Sequence, residues 1–81
     1  SLSEQSHEEE ISGLQVRAVG GGLLLAYLDE HSKPTLEQLR ALVDEEPARL
    51  VVLEDAFQGD DELKTNLAQL CKSKDVELWT V

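Results

Sequence analysis

Two short, unbroken apolar runs constrain this chain most: Leu23-Leu24-Leu25-Ala26-Tyr27-Leu28 and Leu50-Val51-Val52-Leu53. Runs this short and apolar throughout read as strands with dry faces on both sides. The glycines beside the first run and its short length favour a strand over a buried helix. Between the runs, Leu36, Leu39, Leu42 and Val43 recur at helical spacing. Strand, amphipathic helix and strand in that order predict a parallel βαβ unit. A second unit follows. Leu63, Leu67, Leu70 and Cys71 form another helical stripe, and residues 76–81 read as a closing strand.

Local signals set the boundaries. Residues 11–19 alternate loosely and read as one strand, and Gly20-Gly21-Gly22 then predicts a tight reversal into the first apolar run. Thr35-Leu36-Glu37-Gln38 spells a capping box at a helix start. Pro47 stops that helix near Glu46, and Asp60 and Asp61 are N-cap candidates for the next. In the closing strand, alternation puts Val76, Leu78 and Thr80 on one face and Trp79 and Val81 on the other. The fold class is therefore α/β, in the order β-β-α-β-α-β. The expected body is a small two-layer or three-layer sheet, mainly parallel, with an N-terminal antiparallel hairpin. Residues 1–10 hold four acids, no Lys or Arg and one apolar residue, Leu2. They predict a disordered acidic lead ahead of a single domain over residues 11–81.

Charge narrows the function classes. The 81 residues hold 17 acids against 7 Lys and Arg, a net charge of −10. Phosphate contacts need clustered cations, so this balance argues against direct nucleic-acid binding and against docking on an anionic membrane. One cysteine excludes an internal disulfide, and no Cys/His spacing suggests zinc. No apolar run is long enough to span a bilayer, and the opening is acidic rather than basic-then-apolar. The expected location is cytoplasmic.

Several residues offer chemistry. Asp29 and Glu30 follow one predicted strand, and Glu54 and Asp55 follow another. Ligands of open α/β sheets bind at such strand ends, and clustered carboxylates there suit Mg²⁺. Acids in solvated loops account for the same residues, and no metal site is expected. Asp55 with Glu62-Leu63-Lys64 spells a restriction-nuclease-like pattern, but the final pair falls in a helix start rather than on a strand. The glycine triplet lies between strands and lacks a Gly-Lys-Ser/Thr ending, so a turn is favoured over a phosphate cradle. Cys71 sits on an apolar stripe, His7 in the lead and His31 in a loop, so no nucleophilic set assembles. Trp79 and Val81 are different. If both helices cover one sheet face, these two side chains look out from the other and mark a partner surface.

The C-terminal part carries a family pattern. Residues 50–57 run Leu-Val-Val-Leu-Glu-Asp-Ala-Phe, residues 59–66 run Gly-Asp-Asp-Glu-Leu-Lys-Thr-Asn, and an apolar helix leads to Val-Glu-Leu-Trp-Thr-Val at 76–81. This resembles the end of the modification subunits of type III restriction-modification systems and related adenine-specific DNA methyltransferases. The resemblance is clearest over residues 48–81, and residues 23–46 agree in style. Phe57, Leu63, Lys64, Thr65 and Asn66 are the motif positions, with no chemical role attached. The family's Asn/Asp-Pro-Pro-Tyr/Phe motif and its Gly-containing cofactor loop are missing here, and Pro34 and Pro47 stand alone. The resemblance thus implies a non-catalytic accessory domain, cut from the C-terminus of an enzyme whose own cofactor is S-adenosylmethionine. The expected partners are the parent methyltransferase core, a second copy or a restriction subunit. Two alternatives stand beside it. One is a small metal-dependent enzyme built on the strand-end acids, and the other an acidic protein-binding adaptor.

Overall fold

The computed structural model describes residues 6–28 and 31–81. Five strands form one sheet in the spatial order of the sequence, β1-β2-β3-β4-β5. They are β1 (His7–Ile11), β2 (Leu14–Val19), β3 (Leu23–Ala26), β4 (Arg49–Val52) and β5 (Glu77–Thr80). β1 and β2 are antiparallel, as are β2 and β3, whereas β3–β4 and β4–β5 are parallel. The sheet is evenly mixed, which corrects the expectation of a mainly parallel one.

The correction comes from one hairpin. Ser12 and Gly13 have φ of 52° and 85°, the left-handed pair that a two-residue hairpin turn requires. The chain reverses there, so residues 7–10, expected to be disordered, pair with residues 15–18. This strand needs little apolar burial because it sits at an edge. Ile11 packs against the core, and Glu8 is tied across the strands to Arg17 at 2.8 Å. Residues 1–5 of the lead lie outside the described residues.

The triplet Gly20-Gly21-Gly22 makes the β2–β3 reversal as expected, with φ of 88° at Gly21 and 80° at Gly22. The Gly22 carbonyl accepts from the Ala48 and Arg49 amides at 2.8 and 3.3 Å, which fixes the start of β4. A Cβ at Gly22 would lie 3.1 Å from Ala48 Cβ and 3.2 Å from its amide nitrogen. Glycine is therefore required there by both conformation and space.

The helices are α1 (Leu36–Asp44) and α2 (Asp61–Ser73). α1 starts with the expected capping box: Gln38 N–H donates to Thr35 Oγ1 at 3.2 Å, and Thr35 N–H donates to Gln38 Oε1 at 2.9 Å. Gln38 Nε2 also donates to the Ser12 carbonyl, which pins the first hairpin to this helix. α2 is capped by Asp60, whose carboxylate accepts from Leu63 N–H at 3.0 Å. Successive parallel strands step in one direction across the sheet, so crossovers of the same hand place both helices on the same side. Leu39, Leu42 and Val43 of α1 and Leu67 and Cys71 of α2 join Leu14, Val16, Leu24, Ala26, Leu50 and Val52 in one core. The domain has two layers, a sheet and a helix pair. No described helix is long and apolar enough to cross a membrane.

Candidate functional site

One helix layer leaves one sheet face open, and the strand registers define it. Glu8, Arg17, Leu25, Val51 and Trp79 lie side by side in a row that crosses all five strands. Val19, Leu23, Arg49 and Glu77 form the adjacent row. Alternation continues the face through Tyr27 beyond β3 and Val81 beyond β5. Its centre, Leu23, Leu25 and Val51, is half-buried. Tyr27, Trp79 and Val81 are 59 %, 46 % and 65 % exposed, and they are the exposed large apolar residues among those described. All three project from this one face. Both apolar runs of the sequence are thus buried on one side only, and the side expected to be dry has no cover within the described residues.

Trp79 is held in place. Its Nε1–H donates to Glu77 Oε1 at 2.7 Å. The other carboxylate oxygen accepts from Arg49 Nη2 and Nε at 3.1 and 3.3 Å. The Arg49 guanidinium lies 4.0 Å over the indole ring. A cation over an exposed ring contributes about 0.5–1 kcal/mol. These bonds hold the Glu77 carboxyl below its usual range, chiefly the one from Trp79 and then that from Arg49. An aromatic ring clamped by two neighbours loses little freedom on binding, which favours it as an anchor. At the other margin Arg17 is paired with Glu8 and also donates to Ser6 Oγ at 3.0 Å. Both arginines of the face are therefore neutralised locally beside an apolar centre.

The strand-end acids assemble differently from the pattern that suggested metal. Glu54 and Asp55 open a 3-10 helix, Glu54–Phe57, and with His31, Gln58 and Gly59 line an open polar groove of about 600 Å³. Asp29 and Glu30 lie outside the described residues. Among the described residues no group of three His, Cys, Asp or Glu side chains is placed to hold a metal ion. Lys64 reaches back from α2 to Glu54 at 2.5 Å, rather than to Asp60 or Asp61. That bond holds Glu54 below the usual carboxylate range, with a smaller contribution from Thr80. Lys64 is thereby committed to a structural pair, and the nuclease-like pattern of Asp55, Glu62 and Lys64 does not converge on it. Of the remaining motif positions, Phe57 is buried, Leu63 packs on the core, Thr65 is exposed and Asn66 is half-buried. Cys71 lies in the core, where desolvation pushes its thiol up. His7 is exposed on β1.

The Glu54–Lys64 pair has a checkable pH dependence. A carboxyl depressed in the folded state adds stability above its unfolded-state range and loses it as pH falls through the folded value. Glu54→Gln should therefore be less stable than the native chain at neutral pH. The gap in urea midpoint should close under acid conditions. A gap that persists below the carboxylate range would assign it to something other than this ion pair.

The chain matches no family model, and no curated protein or solved structure matches it significantly.

Proposed function

We propose that this is a non-catalytic accessory domain from the C-terminal part of a site-specific adenine DNA methyltransferase of a restriction-modification system. Its open sheet face docks against the methyltransferase core of the same parent. The docking role is carried by one observation: Tyr27, Trp79 and Val81 all project from a single sheet face whose centre is apolar. Exposed apolar patches on one face mark interaction sites. The methyltransferase context rests on the resemblance over residues 48–81. S-adenosylmethionine and the target base belong to the parent, because the chain's glycine triplet is spent on a β-hairpin and its prolines are isolated.

Two experiments test this reading. An Asn/Asp-Pro-Pro-Tyr/Phe motif in the reading frame upstream of Ser1 is the expected finding. An upstream sequence of another enzyme class would overturn the methyltransferase context. Calorimetric titration of the 81-residue chain at low salt should show no binding of duplex DNA or S-adenosylmethionine. Micromolar affinity for either would contradict an accessory role, since few cations are present to hold phosphates.

A further inference from the structure

The two edges of the sheet are guarded very differently. The free edge of β1 belongs to His7-Glu8-Glu9-Glu10-Ile11, three consecutive carboxylates. Charged edges of this kind prevent strand addition. The other edge is β5, Glu77-Leu78-Trp79-Thr80, and no described strand pairs outside it. Its single charge, Glu77, is already engaged by Trp79 and Arg49.

The β5 ladder shows which groups have no backbone partner among the described residues. Glu77 N–H donates to the Ala48 carbonyl and Val81 N–H to the Val52 carbonyl, both at 3.1 Å. The odd-numbered residues therefore face β4, and the N–H and C=O groups of Leu78 and Thr80 point away from the sheet. Each copy of the chain presents two donors and two acceptors along an edge with little charge.

From this edge we infer that β5 pairs antiparallel with β5 of a second copy, about a dyad at Trp79, joining the two sheets into one. In that register Leu78 of each copy faces Thr80 of the other, which satisfies all the outward groups. Glu77 comes opposite Val81, so no two charged side chains of like sign meet. The same operation on β1 would set Glu9 against Glu9 and Glu8 against Glu10.

The helix layer agrees in charge. Ala68 and Lys72 of α2, with Asp75 just beyond the helix, line the groove above Leu78 and Glu77. Asp61 and Thr65 continue that stripe at helical spacing toward the N-terminus of α2. A dyad normal to the sheet sets the two α2 helices side by side and antiparallel. The Asp61 end of one then lies beside the Lys72 end of the other. Opposite charges at the two ends of one stripe make the surface complementary to itself, as a two-fold interface demands. This inference concerns an edge and does not depend on the docking role of the open face.

Sedimentation of the 81-residue chain over micromolar to millimolar concentrations tests it. A concentration-dependent dimer is expected. Thr80→Pro removes one outward donor per copy and leaves the β4 ladder intact, so it should weaken self-association about tenfold or more. Thr80→Ala keeps the donor and should stay within about threefold of the native chain. Asp61→Lys and Lys72→Glu should each weaken association alone, and an equimolar mixture of the two variants should associate again. A chain that stays monomeric throughout would overturn the inference. Equal effects of Thr80→Pro and Thr80→Ala, or a mixture no better than its components, would overturn it as well.

Discussion

Leu50→Ala is expected to remove a large part of the domain's stability, lowering it by about 2–5 kcal/mol. A chain of this size has about 4–12 kcal/mol in all. Leu50 is fully buried on β4, the strand between β3 and β5 and beneath the helix layer. Truncating it leaves a cavity that strands on both sides prevent from collapsing. Val51 is its neighbour in sequence but points to the open face and is only half-buried. Val51→Ala should cost clearly less, about 1–2 kcal/mol, since the two methyls it loses are partly solvated and leave no enclosed cavity. Urea midpoints of the two variants decide the matter. Equal losses at Leu50 and Val51 would mean that both sheet faces are covered, contrary to a two-layer domain.

The second large effect is expected at Trp79. On the proposed reading, Trp79→Ala should weaken docking to the parent's core by about 2–4 kcal/mol, or about 30-fold to 1,000-fold. It should change the stability of the isolated chain far less, because the ring is nearly half exposed. Arg49→Ala and Glu77→Ala should show smaller losses in the same direction, since each frees the indole that its side chain holds. Affinity between the chain and the remainder of its parent, supplied separately, is the measurement. A Trp79→Ala chain that docks as tightly as the native one would place the contact elsewhere.

Much of this fold is legible in the sequence because it is written in local periods. Thr35 with Gln38, Asp60 as a cap, and the stripes Leu36–Val43 and Leu63–Cys71 all depend on residues within a few positions of one another. The alternation that separates Leu78 from Trp79 is equally local, and it led to the sheet face that the described residues leave open. The apolar centres of Leu23–Leu28 and Leu50–Leu53 pointed to two dry faces. The structure covers one, so the same signal now marks a contact surface.

Features that depend on pairing between distant segments were harder to read. The first hairpin turns on Ser12-Gly13, a weak two-residue signal between segments whose alternation reads as polar on one side and continuous on the other. His7–Ile11 has almost no apolar content, and only the Glu8–Arg17 bond and the backbone ladder explain its order. Lys64 passes over the acids one turn away and meets Glu54, because the 3-10 helix folds that residue back toward α2. The Arg49–Trp79–Glu77 cluster depends on the parallel register of β4 and β5, which no spacing within either strand encodes.

The central claim is that the open face, and not the helix layer, seats the domain on its parent. Nuclear magnetic resonance of the isotope-labelled chain, recorded as the remainder of the parent is added, tests it most directly. The largest shifts are expected at the Trp79 indole N–H and at the methyl groups of Leu23, Leu25, Val51 and Val81. Gln69 and Arg40, exposed on the helices, should barely move. Shifts centred on the helices, with Trp79 unmoved, would contradict it.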